Sequence, residues 1–332
     1  MLNKTIHQQL GFQLLRFFFV DSTDHQFFDH QEFFIAFDGS DKPGQFFKGN
    51  LHTHSTNSDG AFSVADVVKI YRDAGYDFIA LSDHFMERYE YPVTDSTDCR
   101  SAEFTTLIAA ELHVPETKLG EPWHILAAGL PLDFAPPANG ESGPEIAARA
   151  AKAGAFIGIL HPSWYGLTVE DARSITAAHA VEIYNHGSHV EVGRGEDWGF
   201  CDNLLNEGWR LSGFASDDSH KMTHDCFGGW VQVHAPALDP DCLLQSLKAG
   251  RYYSSQGPEI HDIRIKDNHV DISCSPAVAI SAAGRGARSK YITGEDLTEA
   301  RLPLKKFKDG YFRITIRDKQ GRRAWTNPVW LD

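Results

Sequence analysis

Cysteine is scarce and scattered in this chain of 332 residues. The five, Cys99, Cys201, Cys226, Cys242 and Cys274, are odd in number and form no C-x-x-C pair. That argues against a disulfide framework and against a thiolate zinc site, and makes a reducing, cytoplasmic setting the expectation. Long apolar runs are missing too. Leu14-Leu15 and Phe17-Phe18-Phe19-Val20 are interrupted by Arg16 and Asp21. They are too short to span a bilayer and lack the small-residue cleavage site of a secretory signal. No internal repeat or low-complexity segment stands out. Positive charge is in short supply: the net charge is −14, and residues 281–332 hold 12 Lys and Arg against 6 Asp and Glu, so the preceding 280 residues carry −20. An acidic body repels nucleic-acid phosphates and suits a site whose carboxylates are neutralised by bound cations. The basic tail reads as a solvated β surface.

What is present is alternation. Apolar runs rich in Ile, Leu, Val and Phe fall at Phe47–Ser55, Asp77–Asp83, Phe104–Glu111, Trp123–Leu130, Ala155–His161, Val181–His186 and Trp209–Ala215. Amphipathic stretches lie between them, the pattern of βα units. Ser63-Val64-Ala65-Asp66 opens one helix as a capping box, and Pro144 and Thr168 open two more. Glu196–Asn206 and Leu238–Ala249 complete the set. Beyond about residue 255 the period changes to two, at Ile260–Ser273, Leu302–Phe307 and Tyr311–Leu331, which predicts an antiparallel β domain. The expected organisation is an N-terminal strand segment over 1–47 packing on that β domain, a catalytic barrel over 48–254, and the β domain over 255–332.

The ionisable residues fall at the ends of those runs. His52 and His54 stand at i and i+2, hence on one face of a strand. The later runs end in or lead to Asp83-His84, Glu111, His161-Pro162, Asn185-His186 and Asp217-Asp218-Ser219-His220, and the run Trp123–Leu130 begins near His124. A single strand-end histidine is ordinarily a satisfied core or surface residue. Recurrence at successive strand ends points instead to an active site at one mouth of a barrel. Histidine and carboxylate donors without thiolates suit Zn, Mn or Fe ions, and two or three held together activate water and clamp an anionic oxygen.

The series His52-x-His54-Ser55, Asp59-Gly60, Leu81-Ser82-Asp83-His84, Glu111, His124, His161-Pro162 and Asp218-x-His220 resembles the ordered motifs of the PHP (polymerase and histidinol phosphatase) superfamily over residues 48–254. The flanks, Phe47-Lys48-Gly49-Asn50-Leu51-His52, Gly250–Pro258 and Ala324-Trp325-Thr326-Asn327-Pro328, are similar to its CehA/McbA-like branch. The resemblance implies a distorted seven-stranded (β/α) barrel holding up to three divalent ions, to which the period-two runs add the expected C-terminal antiparallel β-sandwich-like domain. His52, His54 and Asp218 would hold one ion, with Glu111 bridging to a second completed by His124 and His161. Asp59, His84 and His220 would hold a third. The family's Gly-Ser-Asp run is replaced here by Ser216-Asp217-Asp218, which leaves Asp217 as a competitor to Asp218.

The reaction implied is hydrolysis of a small phosphate ester by a metal-bound hydroxide. His220 or His186 would protonate the leaving oxygen, and Arg194 and Lys221 would bind the phosphate. Carbamate or carboxylic ester hydrolysis on the same site, or a non-catalytic ligand-binding scaffold, are the alternatives. Asn185 is a candidate supporting group. Trp164, Tyr165, Trp198 and Phe227 are pocket candidates, each with packing as its plainer role. His113, His179, His189, His224, His234, His261 and His269 have no matched role. The expected partner is a small molecule, with no nucleic acid or membrane.

Overall fold

The computed structural model describes residues 33–34 and 44–331. In the first part, strands β2 (Gln45–Asn50), β3 (Phe78–Leu81), β4 (His84–Phe85), β5 (Thr105–Leu112), β6 (Ile125–Ala128), β7 (Phe156–Ile159), β8 (Ala180–Asn185) and β9 (Ser212–Ser216) alternate with helices. The helices are α1 (Val64–Asp73), α2 (Gly143–Lys152), α3 (Pro162–Tyr165), α4 (Val169–Ser174), α5 (His186–Val192), α6 (Trp198–Asn206) and α7 (Pro240–Lys248). The remaining strands are β1 (Phe33–Phe34), β10 (Trp230–Ala235), β11 (Tyr252–Ser255), β12 (Ile260–Lys266), β13 (His269–Gly284), β14 (Ser289–Pro303), β15 (Tyr311–Arg317), β16 (Arg323–Thr326) and β17 (Val329–Trp330). Apart from β1, the segment expected to run over 1–47 lies almost wholly outside the described residues, up to Gly44.

All the strands belong to one hydrogen-bonded sheet. β2, β3 and β5 run parallel, as do β7, β8 and β9, but β6 is antiparallel to both β5 and β7. The ladder of the described residues forms no closed sheet, so the expected distorted seven-stranded barrel is not confirmed. Between β9 and β2 there is only an isolated parallel bridge, Thr53 to Ser219. Asp218 N–H donates to the His52 carbonyl at 2.9 Å and His54 N–H to that of Ser219 at 3.0 Å. The left-handed backbone at Asp218 (φ 54°) takes the chain out of register between them. The C-terminal strands β12 to β17 are antiparallel and continue the same ladder through β16, β11 and β10 to β2, so no separate sandwich stands apart.

Sequence explains why these elements form where they do. The β5, β6 and β7 runs are buried on both faces, and so read as continuous apolar stretches rather than alternating ones. Ser63 caps α1 by accepting from Asp66 N–H, and Thr168 with Asp171 forms a reciprocal capping box on α4. One core lies beneath β5 to β8 and α2 to α6, with Ile125, Ile157 and Leu204 fully buried. The C-terminal strands enclose another around Ile263, Ile280, Phe312 and Ile314. No helix among the described residues is long and apolar enough to cross a membrane.

Candidate metal centre

Strands and the loops beside them bring eleven polar side chains into one largely buried cluster, with Asp59 at its exposed edge. Glu111, at the end of β5, stands at its middle and is fully buried. Its Oε2 meets His84 Nδ1 at 2.9 Å, His52 Nε2 at 3.4 Å and His54 Nε2 at 3.5 Å. Its Oε1 meets His124 Nδ1 at 2.6 Å and His161 Nε2 at 3.3 Å. Asp218 Oδ1 lies 3.1 Å from both His52 and His54. Asp59 Oδ1 lies 3.4 Å from both His84 and His220. Five overlapping groups have ligand atoms within 4.8 Å of one another: His54, Asp59, His84 and His220; His52, His54 and Glu111; His52, His161 and Asp218; His84, Glu111 and His113; and Glu111, His124 and His161.

All nine sequence-derived metal candidates are thus brought together, in a grouping that differs from the one the resemblance implied. His54 also joins the Asp59 group, and Asp218 pairs with His161 as well as with His52. Asp217 is engaged elsewhere. It accepts from the backbone N–H groups of Phe227, Gly228 and Gly229 at 2.9, 2.9 and 3.0 Å and from Tyr71 Oη at 2.8 Å. The two aspartates differ because the left-handed Asp218 turns its side chain toward the histidines.

Two members were missed. His113 Nε2 lies 2.8 Å from His84 Nδ1 and 3.7 Å from Glu111 Oε2. Its i+2 relation to Glu111 was the available signal. Glu182, fully buried on β8, accepts from His52 Nδ1 at 3.1 Å, from the His161 backbone N–H at 2.7 Å and from Asn185 at 3.0 Å. Ser216 Oγ bonds to it as well. A lone carboxylate inside the run Val181-Glu182-Ile183 was the clue, because a buried charge requires a partner. The Glu182 bond fixes the His52 tautomer and aims Nε2 into the cluster, the arrangement of a carboxylate-oriented metal-binding histidine. Asn185 also donates to Asp218 Oδ2 at 3.1 Å, which locates it as a supporting group.

The other sequence-derived candidates stand apart. His186 Nδ1 pairs with Tyr184 Oη at 3.0 Å, and its ring packs against Gly228, so it does not face the cluster. Arg194 sits exposed on the rim with Nη1 3.3 Å from the Trp164 carbonyl, and Lys221 is exposed beside His220. The Trp164 ring lies edge-on to His124 and His161, with centroids 5.6 and 5.3 Å away, and Tyr165 is buried against the same pair. Trp198 instead carries the Arg313 guanidinium at 4.0 Å, and Phe227 packs on Tyr71.

The electrostatics suit cation binding. Burial opposes charge on Glu111 and Asp218, yet the surrounding histidines hold both carboxyls well below their usual range. Burial likewise opposes protonation of His84 and His220, but Glu111 and Asp59 raise His84 to about 10, and Asp59 and Asp218 raise His220 to about 9. At His54 and His124 burial prevails, bringing them to about 4 and about 3. The buried Nδ1 of His161 and of His113 have no hydrogen-bond partner among the described residues. His161 and Asp218 also hold positive φ, 20° and 54°, the kind of local strain that persists at functional sites. Carboxylates that stay ionised among neutral and convertible imidazoles, with no thiolate, form a donor set that fits divalent ions.

Fold and cluster together define a mixed α/β protein with a candidate divalent-metal centre. The fold is PHP-like: the chain is similar to a two-domain protein from Bacteroides vulgatus containing a predicted PHP-like metal-dependent phosphoesterase, at 16% identity and a TM-score of 0.51, over 87% of this chain and 96% of that one. A putative metal-dependent phosphoesterase from Bifidobacterium adolescentis matches 52% of this chain and 87% of its own, at 14% identity and a TM-score of 0.38. An amidohydrolase from Chromobacterium violaceum matches 61% and 96%, at 14% identity and a TM-score of 0.40. No family model and no curated protein matches the chain.

Proposed function

We propose that the chain is a divalent-metal-dependent hydrolase acting on small phosphate esters, a PHP-superfamily enzyme of the CehA/McbA-like branch. The observation that carries this reading is the Glu111 carboxylate, with His52, His54 and His84 on one oxygen and His124 and His161 on the other. A carboxylate so shared suits two or three neighbouring cations, and several cations suit an anionic, many-oxygened transition state better than a lone carbonyl requires. Zn, Mn or Fe ions, when bound, would supply Lewis acidity and lower the pKa of water.

The chain's own residues then divide the remaining tasks. Glu182 holds His52 in its ligating tautomer, and Asn185 orients Asp218. His220 donates from Nδ1 to the Asp218 carbonyl at 2.9 Å, which leaves Nε2 for the Asp59 side of the cluster. We therefore assign it to the ligand set rather than to proton delivery. His186, turned to Tyr184, lies outside the reacting centre. Arg194 on the rim is one exposed cation available to a substrate phosphate. Metal analysis of the purified protein, with p-nitrophenyl phosphate, bis-p-nitrophenyl phosphate and aryl carbamates as substrates, tests the assignment. Phosphate turnover that disappears with chelator and returns with added metal is expected. Aryl carbamates outrunning every phosphate ester would move the assignment to carbamate hydrolysis, and no turnover at all would leave a ligand-binding scaffold.

A further inference from the structure

Two aromatic–arginine walls stand on the two sides of the Glu111 carboxylate. On the Oε2 side, Tyr89 lies nearly parallel to His84, with ring centroids 6.2 Å apart and planes 14° from parallel. The Arg88 guanidinium sits 4.5 Å over the Tyr89 ring. On the Oε1 side, the Trp164 ring, 43% exposed, stands edge-on to His124, and Arg194 reaches the Trp164 carbonyl. His113 separates the two sides, 4.8 Å from His84 and 4.4 Å from His124 between ring centroids.

Neither wall is a casual loop. Tyr89 belongs to the turn that follows β4, in which Tyr89 N–H and Tyr91 N–H both donate to the Met86 carbonyl. Glu90 and Tyr91 hold left-handed backbone (φ 61° and 54°), a conformation that costs a non-glycine residue on the order of 1 kcal/mol or more. The Tyr91 ring, packed 5.3 Å from that of the fully buried Phe85, anchors the turn. The strain and the anchor together leave Arg88 exposed and Tyr89 beside the metal candidates. Trp164 is held by α3, one turn of helix begun by Pro162 directly after His161.

We infer that the site takes phosphodiesters in preference to monoesters, with each organic substituent of the phosphate lying on one aromatic wall. This rests on the proposed phosphoesterase reading. A diester carries two substituents on phosphorus and one negative charge, so it needs two flat surfaces and little cationic help. A monoester carries one substituent and up to two charges, so it would leave one wall bare. Aromatic faces hold flat substituents through dispersion and desolvation, and the flanking guanidiniums donate hydrogen bonds to their polar edges. In the reaction a P–O bond forms to the oxygen of one water and the P–O bond to one substituent breaks. One proton of that water ends on the departing oxygen, and a monoester and an alcohol are released.

The test compares bis-p-nitrophenyl phosphate with p-nitrophenyl phosphate for the metal-loaded full chain and its Tyr89→Ala and Trp164→Ala variants. The diester should have the higher kcat/KM, and each variant should lose on the order of tenfold on it, mainly through KM. On the monoester only one of the two variants should be impaired. As a readout apart from turnover, diphenyl phosphate should bind the chelator-treated chain more tightly than phenyl phosphate does in calorimetry, and either variant should narrow the gap. Unchanged metal content and unfolding temperature in both variants separate lost contacts from misfolding. A monoester preference, or equal losses on both esters with no difference in binding, overturns the two-sided site while leaving the phosphoesterase reading intact. Absence of phosphate turnover together with equal binding of the two probes overturns both.

Discussion

Asp217 and Asp218 are adjacent in the chain and bond to different partners, so their removal should have different consequences. Asp218 touches His52 and His54, whereas Asp217 collects three backbone N–H groups and the Tyr71 hydroxyl. Asp218→Ala should therefore lose metal, by more than the ~10–100-fold typical of changes one shell further out, at nearly unchanged folding of the metal-free chain. Asp217→Ala should instead lower the unfolding temperature, because it leaves buried donors unpaired at about 1–3 kcal/mol each. Chelator competition and thermal unfolding measure the two effects, and the opposite pattern would exchange the roles. The Asp-x-His spacing pointed to Asp218 with Asp217 as a competitor, and the different contacts of the two follow the backbone turn at Asp218. His113 and Glu182 were less legible still. Each stands one residue from an apolar position in a strand, and only the folded cluster shows the partners brought from elsewhere in the chain, His84 to His113 and His52 to Glu182.

Asp197 provides a titration at the same scale. It is buried, accepts from Ser163 N–H at 3.1 Å through Oδ1, and has Oδ2 without a hydrogen-bond partner among the described residues. Burial, with Ser163 opposing, pushes its carboxyl up to about 6 from 3.8. The folded state then holds a proton that the unfolded state has released between about pH 4 and pH 6. Stability from this group is accordingly greatest below that window and falls as pH rises through it. Asp197→Asn keeps an acceptor for Ser163 and has no such proton to lose. Relative to the parent, the metal-free variant should gain on the order of 1–3 kcal/mol between pH 4 and pH 7, read from urea unfolding at both. A constant difference across that range would mean that the carboxyl is already ionised throughout.

At the scale of elements, Gly49 shows how the sheet places the site. It pairs with Phe78 across the parallel β2–β3 ladder, and a Cβ there would lie 2.1 Å from the Phe78 ring. Gly49→Ala must displace that fully buried ring, an overpacking cost of about 1–3 kcal/mol. Because His52 follows three residues later, metal affinity should fall along with the unfolding temperature; loss of stability with full affinity would show that the ligand strand is insulated from β3. Most strands of this part were legible because both faces are buried and their residues are uniformly apolar. The antiparallel direction of β6 was not, since pairing direction leaves no trace in a four-residue apolar run. Helix α5, which begins at His186, was hidden for a related reason: Asn185 ends β8 and also caps that helix, accepting from Ser188 N–H at 2.8 Å, so one residue belongs to both patterns. The long β13–β14 pairing was overlooked because β14 is largely exposed and carries no apolar alternation to read.

At the scale of the molecule, the proposed phosphoesterase activity raises the question of how an acidic chain would admit an anionic substrate. The net charge is −14, and the excess of acid lies in residues 1–280, which carry the whole cluster. Among the described residues, exposed cations near the cluster include Arg88, Arg194 and Lys221. Their attraction acts at contact, while the repulsion of the whole body acts over the Debye length, about 30 Å at 0.01 M salt and about 10 Å at 0.1 M. Approach is therefore governed by the body, and capture by the rim and the bound ions. If so, KM for p-nitrophenyl phosphate should fall, by roughly two- to fivefold, as a non-coordinating salt is raised from about 10 to about 150 mM, with kcat steady. The singly charged diester should respond about half as strongly, because the repulsion scales with substrate charge. A neutral aryl ester, if it turns over at all, should show no trend. The comparison of the three slopes is decisive, since an effect of salt on the fold would move all three together. A KM that rises with salt for the charged esters would mean that the rim cations and bound ions reach further than the acidic body repels.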